Sequence, residues 1–375
     1  MNFAFERKTI GWFFLLFLIW STTPAGAASS PLARTKQEAE AKGHVFFATH
    51  DEIVAGAKNE GKLKVNTGLE KANLAPLMKA FKQKFPFISD VYVEEITGLD
   101  AYQRFILEMK SGQSSGWDVA QIPFDFAQEY IPYLAKYDIL TMAQQGVLKI
   151  NSAMVHPVER NIVGVTSSIR VVAYNRTLVP EDRVPAKWED FLKPELKGKK
   201  FIIDIRPLAL APLVPAWGLE RTLDFARKLA GQQPVWVRGA TRINTAIAAG
   251  EYSLFLGPSF SSIKRAMAKD VTGNLAYRIV EPIPTGVIDD AAAILSSAAH
   301  PHAALLWFEF LASPEGQEII DKYQPYEASI FTPGSAAEQV TRGKQLSVVD
   351  WNHASKFQDY MEKIIASSGF PKAEK

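Results

Sequence analysis

The chain has no cysteine in 375 residues. Disulfides, a thiolate nucleophile and a zinc–thiolate site are therefore excluded, and stability rests on core packing. No P-loop and no G-x-G-x-x-G string occurs, which removes the glycine-rich phosphate and dinucleotide cradles. Neither sign of charge is in excess: 42 basic and 40 acidic residues give a formal charge of +2. The basic residues are scattered, without a stripe or interleaved aromatics, so no nucleic-acid partner is expected. Past the N-terminus no apolar run is long enough to span a bilayer. Internal repeats and low-complexity tracts are lacking as well.

The N-terminus carries Arg7-Lys8, then the apolar run Ile10–Trp20, then Pro24 and Ala25-Gly26-Ala27. A charged n-region, a short h-region and an A-x-A site make a secretory signal. As a membrane span the run would cover only about half of a bilayer core. Cleavage near Ala27 is expected, and without a cysteine no lipid anchor can follow. A free periplasmic protein fits these features best.

From Asp51 the pattern alternates between helical and strand periodicities. Leu74, Leu77, Met78, Phe81 and Phe85 mark one helix face, and Tyr102, Phe105, Ile106 and Met109 another. Strands are expected at Leu63-Lys64-Val65, Val91-Tyr92-Val93 and Trp117–Gln121, which predicts a parallel sheet with helices on its faces. Ligands of such sheets bind beyond the carboxyl ends of the strands. Those ends are Asn66-Thr67-Gly68-Leu69, Thr97-Gly98 and Ile122-Pro123-Phe124-Asp125. After Asp204 the alternation restarts. Pro282 and Pro284 interrupt it, and Val287–Leu295 reads as a strand returning to the first unit.

Enzyme signatures fail on context. Gly112-Gln113-Ser114-Ser115-Gly116 matches the nucleophile-elbow string, but a helix precedes it and a strand follows, the reverse of the required order. His300 and His302 flank Pro301 at a helix start and lack the i, i+4 spacing of a zinc helix. Asp289-Asp290 lie on opposite faces of a strand.

The stretch Val163–Asp204 organises the rest. It holds an apolar run ending in Tyr174-Asn175, then Val184-Pro185, Trp188-Glu189-Asp190-Phe191-Leu192 as a Trp-anchored surface turn, Leu196-Lys197-Gly198-Lys199, and the strand Phe201–Asp204. This order resembles the lobe crossing of bacterial extracellular solute-binding proteins that serve ABC importers, in particular the iron(III)-type group. The opening from Asp51 to Leu63 is similar to the same family. So is the run from Pro284-Thr285-Gly286 through Ala303-Ala304-Leu305-Leu306 to Ser313-Pro314-Glu315-Gly316-Gln317.

The resemblance implies an α/β, two-lobed periplasmic-binding-protein type II fold with a strand hinge. Residues 1–27 are then the signal peptide, 28–172 with 287–375 a discontinuous first lobe, and 173–286 the second. It implies a monomer without a cofactor that closes on a small molecule and delivers it to an ABC permease. An exported enzyme on a two-lobed fold, or a receptor feeding a sensor, are the alternatives. The iron-type members place two adjacent tyrosines where this chain has Phe260-Ser261, and a histidine where it has Glu70. Ferric-ion or chelated-iron binding is therefore the lesser expectation, and no metal ligands are assigned.

An anionic solute is expected instead. Arg170 at the hinge, Arg206 after one strand, and Arg238 with Thr241 and Arg242 after another could bind it. A helix N-terminus follows the last group. Thr67, Gly68, Thr97, Ser259 and Phe260 complete the expected site, with Phe260 or Phe124 against an apolar part of the ligand.

Overall fold

The computed structural model describes Met1 and residues 31–113, 116–123, 126–239, 241–286 and 290–372. The expected leader past Met1, the G-x-S-x-G serines, Phe124 and Asp289 lie outside these residues. No described helix is long and apolar enough to cross a membrane.

Among the described residues twelve strands run in chain order. They are β1 Lys62–Thr67, β2 Asp90–Glu95, β3 Val119–Ile122, β4 Ile162–Gly164, β5 Ser168–Asn175, β6 Ile202–Asp204, β7 Val235–Val237, β8 Leu254–Ser259, β9 Leu275–Arg278, β10 Ile283–Gly286, β11 Ala291–Ile294 and β12 Leu346–Val349. They form two sheets. The first has the order β2-β1-β3-β11-β4, with β1 parallel to both neighbours and β11 antiparallel to β3 and β4. The second has the order β12-β10-β5-β8-β6-β7, with β9 also paired to β5.

Both sheets are mixed, with parallel and antiparallel pairings, and each is covered on both faces. In the first lobe, helices His50–Glu60, Lys71–Lys84 and Pro301–Ala312 bury Ile53, Leu77, Phe81 and Trp307 on one face. Helix Leu99–Lys110 buries Phe105, Ile106 and Met109 on the other. Strand β5 shows the period of two directly. Val172 and Tyr174 enter one core of the second lobe, while Ile169, Val171 and Ala173 enter the other.

Local signals end the helices where expected. Thr49 Oγ1 accepts the Glu52 N–H at 3.3 Å, and Gly61 closes the same helix at φ 65°. Ser313 and Ser259 cap helices Pro314–Tyr323 and Phe260–Met267 in the same way. The two helix-start histidines serve separate partners. His300 Nδ1 lies 3.0 Å from Asp118 Oδ2, and His302 Nδ1 lies 2.6 Å from Glu60 Oε1.

Trp188 anchors its turn from inside: it is fully buried, and its indole N–H donates to the Pro282 carbonyl at 3.0 Å, while Lys187 and Glu189 on either side are exposed. Two features depart from the sequence reading. Pro282 and Pro284 do not end the sheet. Residues Ile283–Gly286 form β10, whose pairing to β5 begins only at Thr285, so the missing N–H of Pro284 costs no ladder bond on that side.

The lobe boundary moves as well. All of β5 belongs to the second sheet, so the first crossing lies at residues 165–167. The tail expected in the first lobe supplies β12, which pairs with β10, and helix Phe357–Ser367, whose Tyr360 and Ile364 join the second lobe's core. Apolar side chains at that helix's spacing are buried by whichever lobe lies beside them, and sequence order does not decide which.

Candidate functional site

At the first lobe's end of the crossing, the carboxyl ends of β1 and β2 open into a cavity of about 660 Å³. Gly68, Glu70, Glu95, Thr97, Asp290 and Glu327 line it. Its floor is a chain of hydrogen bonds. The Gly68 N–H donates to Gln121 Oε1 at 2.7 Å, Gln121 Nε2 donates to Asp290 Oδ1 at 3.3 Å, and the Asp290 N–H donates to Thr166 Oγ1 at 2.9 Å. A Cβ at position 68 would lie 2.3 Å from Asp290 Oδ1, so any larger residue must push the ends of the Asp290 and Gln121 side chains aside. Thr67 is buried and turns inward, accepting the Leu69 N–H at 3.3 Å. Thr97 is exposed on the rim.

Carboxylates give this end its field. Burial, then the charges of Asp290 and Glu95, push the Tyr102 phenol above its ordinary value. Glu70 begins helix Lys71–Lys84. Its own N–H donates to Gln324 Oε1 at 3.0 Å, and Gln324 Nε2 donates to Glu327 Oε2 at 2.7 Å. From helix Phe260–Met267 of the second lobe, Arg265 Nη1 reaches Glu70 Oε1 at 2.6 Å and lies 3.9 Å from Glu327 Oε1. One guanidinium thus ties the two lobes together.

At the second lobe's end a cavity of about 480 Å³ has a different character. Arg170 and Arg206 stand in a wall that is otherwise mainly apolar, including Leu208, Phe357, Met361 and Ile365. Arg170 sits where the register of β5 against β8 shifts, between Arg170 and Val172; bulges of this kind re-aim a side chain. Arg206 donates from Nε and Nη2 to the two oxygens of Asp204, at 3.2 and 3.0 Å. Those bonds hold the Arg206 guanidinium above its ordinary value. Asp204 Oδ2 also accepts the Gly239 N–H at 3.3 Å.

Gly68 and Thr97 therefore line the first cavity, and Arg170 and Arg206 the second. Thr67, Arg238, Arg242, Ser259 and Phe260 line neither. Arg238 is exposed beyond β7, Thr241 opens helix Thr241–Ala249, and Arg242 is exposed on it. The Ser259 hydroxyl is spent on its cap, accepting the Ser262 N–H at 3.2 Å. Phe260 is not a ligand platform: it is fully buried, with ring centroids 4.7 Å from Tyr277 and 4.3 Å from Tyr326. Ser261, beside it, is also buried. At the positions that the resemblance matches to the tyrosine pair, the chain thus has a core side chain and a buried hydroxyl. Among the described residues no group of three His, Cys, Asp or Glu could hold a metal ion.

Sequence reasoning missed Arg265, whose partner Glu70 lies 195 positions away in the chain, and Glu327 beside the same guanidinium. It also missed the cavity-lining stripe of the last helix. Phe357 and Met361 were recognisable as apolar helix positions, and Ile365 extends them at the same spacing beside the core pair Tyr360 and Ile364. Phe357 and Met361 also pack against that core, with part of their surface left to the cavity.

Comparisons with known proteins agree with the architecture. A comparison with curated protein sequences finds no match. Among solved structures, iron-bound HitA from Pseudomonas aeruginosa is 18% identical, with a TM-score of 0.59 over 82% of this chain and 99% of that one. The Trichodesmium protein IdiA (FutA), in complex with iron and citrate ligands, is 19% identical, with a TM-score of 0.64 over 83% of this chain and 100% of that one. An ABC transporter substrate-binding protein from Bradyrhizobium japonicum is 13% identical, with a TM-score of 0.61 over 82% and 99%. These likenesses are of fold, and the fold is the two-lobed one of periplasmic binding proteins. The family described as bacterial extracellular solute-binding protein matches residues 95–356. Its members are binding proteins of ABC transporters and not enzymes. Two sheets with separate cores, a cavity at each lobe's end of the crossing, and a family match over more than half of the sequence lead to one conclusion: the chain belongs to the bacterial extracellular solute-binding proteins.

Proposed function

We propose that the protein is the periplasmic receptor of an ABC import system, a monomer that captures a small anionic solute between its lobes and hands it to the permease. The observation that carries this reading is the placement of a cavity at each lobe's end of the crossing segments, with the lobes already within ion-pair distance at Arg265 and Glu70. Hinge closure of two such lobes on a ligand is a known repertoire of periplasmic binding proteins. The leader ending near Ala27 supports export to the periplasm.

The anion rests on Arg170 and Arg206. A guanidinium offers planar, paired N–H donors suited to a carboxylate or phosphonate. Asp204 takes Nε and Nη2 of Arg206 and leaves Nη1 for a ligand oxygen. The iron bound by the structural relatives is not carried over, because Phe260 and Ser261 are packed into the core at the tyrosine-pair position.

Titration calorimetry with small organic anions, followed by small-angle scattering of the liganded protein, tests the reading. Binding that depends on Arg170 and lowers the radius of gyration supports it. Stoichiometric iron in the purified protein, or anion affinity unchanged in Arg170→Ala, would contradict it.

A further inference from the structure

Building on that reading, we propose that the solute is an organic acid with an apolar body. Its carboxylate sits at Arg170 and Arg206, and its hydrocarbon or aromatic portion lies on the last helix, Phe357–Ser367. The helix carries two adjacent apolar stripes. Tyr360 and Ile364 are buried in the second lobe's core. Phe357, Met361 and Ile365, spaced four residues apart, are partly buried, the first two against the same core, and the remaining surface of all three lines the 480 Å³ cavity.

Leu208 and Pro212 extend the same wall from the segment after β6. Charge is confined to the end held by the two arginines. An inorganic anion or a small polar dianion would occupy that end and leave the stripe wet. An acid whose apolar part reaches Met361 and Ile365 covers it. The volume lies within the range of sites that enclose small organic ligands.

The test uses the full mature chain, dialysed from mild denaturant to strip carried-over solute and refolded, with calorimetric titration of hexanoate, 3-phenylpropanoate, 3-phenylpropanamide and malonate. At least one of the two apolar acids is expected to bind ten-fold or more tighter than malonate, and 3-phenylpropanamide is expected to bind at least ten-fold weaker than its acid. Met361→Gln, its fold checked by circular dichroism, is expected to weaken the apolar acid five-fold or more and leave malonate unchanged.

Malonate binding as tightly as the apolar acids, with loss in Arg170→Ala, would overturn the apolar body and leave the anion reading standing. The amide binding as tightly as its acid would overturn the anion reading itself. Failure of all three acids to bind would overturn both. Unchanged apolar-acid affinity in Met361→Gln would remove the last helix from the site.

Discussion

The two ends of the crossing differ in the surface they present. At the first lobe, Asp290 is bonded to Gln121, Glu327 to Gln324, and Glu70 to Arg265 of the other lobe. At the second lobe, Arg206 is bonded to Asp204, and a partly covered apolar stripe on the last helix lines the same cavity as Arg206 and Arg170. Polar groups gain most from partners inside the protein, whereas apolar surface left in water gains most from a ligand. On the proposed reading, the acidic end is the tie between lobes, through Arg265 and Glu70, and the arginine end is the recognition surface.

The largest expected effect breaks the recognition end. Arg170→Ala is expected to weaken organic-acid binding by about 10- to 100-fold, the scale of a charge-assisted hydrogen bond. Arg265→Ala is expected to change the same affinity by less than about three-fold; calorimetry checks both. Gly68→Ala attacks the other end. Its methyl group meets Asp290 and Gln121, and urea unfolding is expected to show a loss of about 1–3 kcal/mol, as for overpacking.

A pH series isolates the first lobe. Burial lowers the pKa of His156, whose Nδ1 accepts the Val158 and Glu159 N–H groups at 3.1 and 3.0 Å. Below the ordinary histidine value the unfolded chain binds the proton and the folded one resists it, so stability is full above that value and falls as pH drops through it. Thermal melts are expected to show the Tm falling between pH 7.5 and 5.5. His156→Asn, which keeps an acceptor, is expected to flatten the slope.

Arg265→Gln is expected to cost at most about 1 kcal/mol, because both partners are more than a third exposed. It is nonetheless expected to enlarge the radius of gyration of the unliganded protein. The smallest effect is expected from Arg238→Ala and Arg242→Ala, each below about two-fold in affinity, since both side chains are exposed away from the two cavities.

Local patterns account for what could be read in advance. The alternation from Leu63 to Gln121 yields β1, β2 and β3 with their helices, because apolar periodicity and end caps are short-range properties. The run Val163–Asn175 resolves into β4 and β5, flanking the first crossing. Strand β12 and the lobe membership of the tail were illegible, because pairing β12 with β10 joins residues some 60 positions apart. The tie between Arg265 and Glu70 spans 195 positions, and no local signal announces it. Arg206 and Arg238 both follow strand ends, yet only Arg206 lines a cavity. Closeness to a strand end in the chain does not say which way the next turn carries a side chain.

Native mass spectrometry of the mature protein, gently purified from the periplasm and paired with elemental analysis, tests the central claim most directly. The account predicts an organic acid that departs on denaturation, is absent from Arg170→Ala, and is accompanied by no stoichiometric metal. Stoichiometric iron, or a bound solute retained in full by Arg170→Ala, would contradict it.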